Sequence, residues 1–369
     1  MKLGGAHLTY CTNIHPGESW AEVEANLVRH VAQVKARVSP DAPFGVGLRL
    51  SARAARELAA GALPALRRLL ADHALYVFTI NGFPYGTFHG APVKDSVYRP
   101  DWLEPERVAY TDLLADLLAE LLPDGVDGTI STVPGCFRSR GGDDALPAIA
   151  DNLRRSADHL ARIEAATGVR ITLAIEPEPC CVIETIDQAI ALFTDHLRGA
   201  GPHLGLCLDA CHAAVEYEDL PAALARLRAA GVPVAKLQLS AGLRLAPVDA
   251  AGRRAVARFA DPVYLHQVVA RRGGELARYV DLPDALADPT PADEWRVHCH
   301  VPIVRAELGA FASTQDSLAE LLALHRRDPI SSHLEVETYT WDVLPPELRD
   351  APIADAVANE LRWVIDQLR

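Results

Sequence analysis

The sequence predicts an α/β protein, a single-domain (β/α)₈ barrel over residues 1–369. Short runs of apolar and β-branched residues alternate with amphipathic helices along the chain. Such alternation is typical of parallel strands joined by right-handed crossovers. Eight of these units are present, which is the number that closes a barrel. The chain has 369 residues, 49% of them hydrophobic, and is therefore long enough for a barrel with insertions.

Each unit begins with a predicted strand and continues into a predicted helix. The predicted strands are Ala6–Cys11, Phe44–Leu50, Leu75–Ile80, Gly128–Thr132, Ile171–Glu176, Leu204–Asp209, Val234–Leu239 and Leu334–Tyr339. The predicted helices are Trp20–Arg37, Ala52–Ala71, Glu106–Leu121, Ala145–Thr167, Thr185–Leu197, Leu220–Ala229 and Ala354–Leu368. An open doubly wound sheet is the alternative, but no G-x-G-x-x-G motif follows the first strand.

The start of one helix shows how specific these patterns are. Thr185 precedes Gln188 at the spacing of a capping box. Apolar residues then recur from Ile186 to Leu197 at intervals that place them on one helical face.

Two segments interrupt the alternation. The first, Asn81–Trp102, is a long aromatic and glycine-rich loop after a strand end, where barrels build their active-site face. The second spans about residues 242–302, and we expect it to be an insertion between strands 7 and 8. It contains a predicted hairpin, Tyr264–Ala270 with Glu275–Val280. The run Val297–Pro302 is open to interpretation as a ninth strand.

Composition and charge limit the kinds of partner that we expect for this protein. The net charge is −13 and no basic patch is present, so we expect no nucleic-acid partner. No apolar run approaches eighteen residues, which predicts no membrane insertion. Seven cysteines without a CxxC pair are typical of free thiols in a reducing compartment, so we expect a cytoplasmic protein. Whether it forms a homo-oligomer is left open.

Polar residues stand at the carboxyl ends of several predicted strands. Glu176 follows one apolar strand, and Asp209 ends the next, with His212 three residues later. Gln238 lies at the end of the strand after that. Converging buried carboxylates need a cation or protonation. Oxygen-rich ligands with one imidazole are suited to Mg²⁺, Mn²⁺ or Co²⁺, and Zn²⁺ is also compatible.

The last strand carries two carboxylates, Glu335 and Glu337, which share one face. Glu337 is the preferred ligand because it lies nearer the carboxyl end. For Glu335 we expect a buried ion pair inside the barrel with Arg49.

Together the Glu-Pro at Glu176, the Asp-x-x-His at Asp209 and the final-strand glutamates resemble the xylose-isomerase-like superfamily of sugar isomerases and epimerases. The resemblance implies a TIM barrel with one divalent metal ion, Mn, Mg, Co or Zn. It implies Glu176, Asp209 and Glu337 as ligands. Gln238 stands where epimerase-like members have a histidine, so Gln238 itself, His300 or His298 are the alternatives for the fourth ligand.

Other motifs resemble the barrel protein of ebo-type metabolite-trafficking clusters over essentially the whole chain. They are Asn-Gly-Phe-Pro-Tyr-Gly at Asn81, Val-Tyr-Arg-Pro-Asp-Trp near Tyr98, His-Cys-His-Val-Pro near His300 and Glu-Val-Glu-Thr-Tyr-Thr-Trp near Glu337.

The superfamily resemblance implies an isomerase or epimerase of a sugar, cyclitol or sugar-phosphate-like polyol. Glu176 and Glu337 would exchange the proton through an enediolate. The alternatives are a metabolite-binding or trafficking protein with little turnover, and an endonuclease IV-like hydrolase. The expected substrate contacts are His212, His7, Arg49, Asn81, His298, Lys94 and Arg99, with His89 as a further candidate.

Overall fold

The computed structural model describes residues 1–369 and contains fourteen strands. In chain order they are β1 Lys2–Leu3, β2 Ala6–Tyr10, β3 Phe44–Arg49, β4 Leu75–Asn81, β5 Gly128–Thr132, β6 Ile171–Ile175, β7 Leu204–Asp209, β8 Val234–Leu239, β9 Leu243–Leu245, β10 Val268–Arg272, β11 Glu275–Tyr279, β12 Glu294–Val297, β13 Ala312–Ser313 and β14 His333–Val336.

Eight parallel strands form the barrel. The hydrogen-bonded order runs β1-β2-β14-β8-β7-β6-β5-β4-β3, with β1 antiparallel to β2. Between β2 and β3 the backbone pairing is reduced to one bridge, Cys11 with Gly47. The Thr9 hydroxyl closes this gap, because it donates to the Gly45 carbonyl at 2.7 Å and accepts from the Gly47 N–H at 3.1 Å. The sheet is therefore a nearly closed barrel, as the sequence predicts.

Helices cover the outside of the barrel. They are α1 Trp20–Asn26, α2 Ala32–Val38, α3 Ala52–Glu57, α4 Leu63–Asp72, α5 Pro105–Leu121, α6 Leu146–Thr167, α7 Ile186–Ala191, α8 Ala210–Val215, α9 Leu220–Ala230, α10 Ala250–Val256, α11 Leu282–Ala287, α12 Gln315–Arg327 and α13 Ile353–Leu368. π-helical turns connect α1 to α2 and α3 to α4.

Helix α6 shows why these segments pack as they do. Ile149, Leu153, Leu160 and Ile163 recur at helical spacing and are buried, whereas the opposite face is polar. The helix ends at Gly168, whose φ of 75° is the left-handed conformation that a glycine adopts without strain.

A second, five-stranded antiparallel sheet lies between β8 and β14 in the sequence. Its order is β11-β10-β12-β9-β13, and β10 with β11 form a hairpin around Gly273 and Gly274. Strand β12 ends at Val297 and pairs within this sheet. The run from Val297 to Pro302 therefore adds no strand to the barrel.

The middle of the barrel holds a buried ion pair. Lys236 Nζ lies 2.6 Å from Glu335 Oε2, and both side chains are fully buried. A Cβ atom on Gly47 would lie 1.7 Å from Glu335 Oε1, so only glycine fits there. The expected ion pair between Glu335 and Arg49 is wrong. Arg49 is the last residue of β3, nearer the carboxyl ends of the strands, and it pairs with Glu18 at 3.0 Å.

No helix combines the length and the apolar character that crossing a bilayer requires.

Candidate metal centre and its cavity

Three carboxylates converge where the barrel strands end. Glu176 directly follows β6, Asp209 is the last residue of β7, and Glu337 directly follows β14. One oxygen of each lies within 4.8 Å of the others, and all three residues are buried. Parallel strands bring these side chains together because their carboxyl ends meet at one face of the barrel.

Burial dominates the electrostatics of this group. It raises the pKa of Glu176 well above its ordinary value, and the carboxylates of Glu337 and Asp209 raise it further. Burial likewise raises the pKa of Glu337 to about 8, with Asp209 as the next contributor. Buried carboxylates this close to one another repel, so the group favours either protonation or a bound cation.

Hydrogen bonds orient two of the three carboxylates and leave an oxygen free. Asp209 Oδ1 accepts from the backbone N–H of His212 at 2.8 Å and from the Ser240 hydroxyl at 2.7 Å. Asp209 Oδ2 is buried without a partner. Glu337 Oε1 accepts from the side-chain amides of Asn13 at 2.6 Å and Asn81 at 3.1 Å.

Two further buried groups fit a metal ion beside these carboxylates. His300 Nδ1 lies 2.9 Å from the Glu337 carbonyl oxygen, so it carries the hydrogen and Nε2 keeps a lone pair. That Nε2 has no partner, and a ring nitrogen of His300 lies within 4.8 Å of a carboxylate oxygen of Asp209. The Gln238 amide, paired in register with Asp209, is also buried with neither polar atom bonded. Such unpartnered groups are costly, and a divalent cation would satisfy them.

Two more of the predicted histidines, His212 and His298, face the same cavity. His212 Nε2 lies 3.1 Å from His298 Nε2. Both residues are buried, and each lies with Glu178 in one group of possible ligand atoms. The sequence-predicted ligands and the two histidines are therefore brought together.

A partly open cavity of about 60 Å³ opens onto these residues. One side of the cavity is polar, formed by the carboxylates, imidazoles and the amides of Asn13 and Asn81. The other side is aromatic: Phe88, Tyr264 and Tyr339 have ring centroids 5.2–5.4 Å apart.

The segment from Gly82 to Trp102, hereafter the lid, closes this cavity. Backbone N–H groups of Val93 and Lys94 both donate to the Val263 carbonyl, at 2.9 and 3.0 Å. Lys94 Nζ donates to the carbonyls of Asp261 and Tyr264 and to Asp281 Oδ2, at 2.6–2.9 Å. Lys94 lines the cavity, but its charge is occupied in holding the lid.

Three of the expected substrate contacts lie elsewhere. His7 is near the amino end of β2, at the opposite face of the barrel, where its Nδ1 lies 2.9 Å from the Tyr76 hydroxyl. Arg49 binds the Gly17 and Gly86 carbonyls and does not line the cavity. Arg99 is half-exposed and pairs with Glu104. We therefore remove these three residues from the expected contacts.

His89 lies behind the cavity wall rather than in it. Its Nδ1 is 2.9 Å from the Tyr264 hydroxyl, and its Nε2 is 2.6 Å from the Asn13 carbonyl. It therefore acts as a support for the wall.

The sequence interpretation missed several cavity residues. Glu178 follows Glu176 by two residues, and this spacing in Glu-Pro-Glu-Pro is a signal that it shares the face of Glu176. Asn13 follows the end of β2, where side chains face the cavity. Tyr264 carries no such signal, because it belongs to an irregular segment before β10.

A family comparison decides the identity of this barrel. Residues 45–241, more than half of the chain, match the model of the xylose isomerase-like TIM barrel family. The chain belongs to this family. No curated protein matches the chain.

Solved structures share the xylose isomerase-like fold at low identity. A xylose isomerase-like TIM barrel protein from Mycobacterium smegmatis, in complex with magnesium, is 12% identical with a TM-score of 0.56, covering 98% of this chain and 96% of that one. A D-allulose 3-epimerase from Methylomonas sp., in complex with D-allulose, is 14% identical with a TM-score of 0.52, covering 99% and 97%. A probable 3-DHS dehydratase from Bacillus anthracis is 13% identical with a TM-score of 0.52, covering 96% and 97%. At these identities the likeness shows the fold alone.

Proposed function

We propose that the chain is a divalent-metal-dependent isomerase or epimerase of a sugar, cyclitol or related polyol. The observation that carries the proposal is the convergence of the buried carboxylates of Glu176, Asp209 and Glu337, of which Glu176 and Glu337 line the cavity. Hard oxygen ligands of this kind are suited to Mg²⁺ or Mn²⁺, and the imidazole of His300 also admits Co²⁺ or Zn²⁺.

The metal ligands would be Glu176, Asp209 and Glu337, with His300 or Gln238 beside them. A divalent cation held there would act as a Lewis acid towards the oxygens of a hydroxy-ketone. All three carboxylate residues are buried, and burial strengthens the electrostatic interactions among them and with a cation held there.

Glu176 and Glu337 are the proposed proton-transfer groups. They follow β6 and β14, which are separated in the barrel by β7 and β8, so they approach the cavity from two sides. Glu176 would take the proton from the carbon next to the carbonyl, and Glu337 would return one.

The cavity favours a neutral substrate over a phosphorylated one. Its single ammonium group, on Lys94, already serves Asp281 and two carbonyls. A phosphate would also face the carboxylates of Glu176, Glu178 and Glu337. The aromatic side at Phe88, Tyr264 and Tyr339 suits the apolar edge of a polyol ring.

The comparisons support this choice of chemistry at the level of the fold. A barrel of the same family is described with magnesium, and one with the same fold is described as a D-allulose 3-epimerase with its sugar. The alternative, a metabolite-binding protein with little turnover, uses the same cavity and differs only in the reaction.

Solvent deuterium exchange tests the proposal. The chain, loaded with Mn²⁺ in D₂O, is incubated with a panel of ketoses and inososes. We expect deuterium to enter at the carbon next to the carbonyl, as measured by NMR and mass spectrometry. Glu176→Gln should lower this exchange by at least about 100-fold, the usual contribution of a positioned acid or base.

The control is Glu216→Gln, which changes a buried carboxylate that pairs with Arg278 outside the cavity and should exchange at the wild-type rate. Wild-type exchange in Glu176→Gln contradicts the proposed role of Glu176. Saturable binding of a polyol without any exchange would favour the metabolite-binding alternative.

A further inference from the structure

Asn13 lines the cavity and has one side-chain atom that the protein does not use. The residue is 2% exposed and lies in the short 3₁₀ turn Thr12–Ile14, shortly after the end of β2. Its Nδ2 donates to Glu337 Oε1 at 2.6 Å, whereas its Oδ1 is buried without a hydrogen-bond partner. A buried amide oxygen without a donor is costly, so we expect a molecule in the cavity to supply one.

The neighbouring amide of Asn81 shows which way round the Asn13 amide lies. Asn81 Oδ1 accepts from the Phe83 N–H at 3.1 Å, so its Nδ2 is the group that donates to Glu337 Oε1, also at 3.1 Å. An ionised Glu337, as a bound cation requires, only accepts. A reversed Asn13 amide would therefore place two oxygens 2.6 Å apart. Asn81 has no free acceptor, whereas Asn13 has one.

The lid holds the backbone of Asn13. His89 Nε2 lies 2.6 Å from the Asn13 carbonyl oxygen, and His89 Nδ1 lies 2.9 Å from the Tyr264 hydroxyl. A carbonyl oxygen only accepts, so Nε2 carries the hydrogen and Nδ1 accepts from Tyr264. Asn13 is thus fixed by Glu337 through its side chain and by the lid through its backbone, which holds Oδ1 in one position.

Several hydrogen-bond donors around the cavity are already committed to the protein. The hydroxyl hydrogens of Tyr98 and Tyr264 are donated to protein acceptors at 2.6 and 2.9 Å. The Lys94 ammonium donates to two carbonyls and one carboxylate. A ligand oxygen that only accepts therefore finds these three donors occupied, whereas a ligand hydroxyl can donate to Asn13 Oδ1.

We propose that Asn13 is a specificity-determining residue, whose Oδ1 accepts a hydrogen bond from one hydroxyl group of the polyol. The inference rests on the proposed function and adds the chemical group that is recognised beside Glu337. Because the Asn13 amide contacts Glu337, the recognised hydroxyl lies near the carbon that exchanges its proton. A ligand without this hydroxyl leaves Oδ1 unpartnered, and sites that bind a substrate hydroxyl discriminate strongly against such ligands.

A series of deoxy sugars tests the role of Asn13. The chain, loaded with Mn²⁺, is titrated by calorimetry with D-fructose and with each of its monodeoxy analogues. The ratio of the two affinities, parent to analogue, is taken at each carbon. We expect at least one carbon at which the wild type prefers the parent by at least about tenfold. Asn13→Leu, which has a similar volume but no acceptor, should reduce that ratio to about twofold or less.

Two further variants separate the lost acceptor from other effects. Asn13→Ala should change the same ratio, which guards against a packing defect caused by leucine. Asn81→Leu is the matched control, because it removes the equivalent hydrogen bond to Glu337 but no free acceptor. It should weaken the binding of D-fructose and of each analogue by one common factor and so keep the wild-type ratios. Since the same ligands are compared in every chain, their own equilibria in solution cancel.

The outcomes separate this inference from the proposed function. Wild-type ratios at every carbon in both Asn13 variants overturn the role of Asn13, even if deuterium exchange proceeds. The same fall of the ratio in Asn81→Leu also overturns it, because the cause is then the lost bond to Glu337. If the ratio falls only in the Asn13 variants and no ligand exchanges deuterium, the recognition stands and the proposed reaction fails. A wild-type chain that binds none of these ligands contradicts both.

Discussion

Asp209 is both the cap of a helix and a candidate metal ligand, and a different carboxylate oxygen serves each role. Oδ1 caps the amino end of α8 by accepting from the His212 N–H, and Oδ2 stays free for a cation. Because the cap fixes the start of α8, it also positions the His212 ring. The Asp-x-x-His spacing thus places His212 beside the candidate metal centre.

Removing one partner of the Lys236–Glu335 pair beneath the site is expected to destabilise the fold strongly. Lys236→Met leaves a carboxylate buried without its partner, which costs about 3–5 kcal/mol in the free energy of unfolding. Urea unfolding measures this loss. Lys236→Met combined with Glu335→Leu should recover most of it.

Arg67→Met is the matched control, because Arg67 and Glu120 form a pair whose side chains are 58% and 60% exposed. It should cost less than about 1 kcal/mol. Equal losses in Arg67→Met and Lys236→Met would contradict the stabilising role of the interior pair.

Among the elements, the strands and helices that carry the candidate site could be predicted wherever their sequence pattern is regular. Strands β5, β7 and β8 have the predicted bounds, and the Thr185 capping box is present with both of its hydrogen bonds. Regular periodicity places a strand end, and the residue after it, without knowledge of the rest of the chain. This is why Glu176 and Asp209 could be identified from the sequence.

The rest of the site depends on contacts that periodicity does not encode. His298 and His300 were singled out, but their direction depends on how the segment after β12 folds against the barrel. The positions of Lys94 and Arg99 also depend on the lid, and only Lys94 reaches the cavity. Lys236 is in a predicted strand, yet its partner Glu335 lies on the neighbouring strand β14, far later in the sequence, and could not be identified from spacing.

The lid is expected to open more readily when Lys94 is removed. Lys94→Ala loses charge-assisted hydrogen bonds to Asp281 and two carbonyls, each worth about 1.5–3 kcal/mol. A net loss of about 1.4 kcal/mol would raise the open population about tenfold. Chymotrypsin cleavage after Tyr85 and Phe88, followed by mass spectrometry, should accelerate by that factor.

Arg99→Ala is the control for the lid, because it removes a half-exposed pair in the same segment. It should change the cleavage rate by less than about twofold. Identical cleavage of Lys94→Ala and the wild type would show that Lys94 does not hold the lid.

For the whole molecule, we expect the metal-free chain to lose stability as the pH rises through neutrality. Burial raises the pKa of four carboxyl groups from the ordinary 4.5: Glu337 to about 8, and Glu178, Glu216 and Glu360 to about 7. The folded chain therefore holds protons that the unfolded chain releases. The stability they contribute is present below pH 4.5 and is lost as pH rises through 7–8.

Buried histidines have the opposite effect on stability, but only below about pH 6.5. Burial lowers their pKa in the folded chain, for example to about 4 for His300, so only there does the unfolded chain bind more protons at these residues. Between about pH 6.5 and 8.5 the free energy of unfolding should thus fall in a chelator. Saturating Mn²⁺ should reduce this dependence, because Glu337, the one proposed ligand among the four groups, is then already ionised. Urea midpoints that rise with pH in the chelator would contradict this account.

Metal content is the most direct test of the whole account. Wild-type chain and Asp209→Asn, each freed of metal and reloaded with Mn²⁺, are compared by elemental analysis after exhaustive dialysis. Asparagine retains the helix cap but not the carboxylate. The account predicts about one Mn²⁺ per wild-type chain and almost none in Asp209→Asn. Equal manganese in both, or none in either, would mean that Glu176, Asp209 and Glu337 do not form a metal centre.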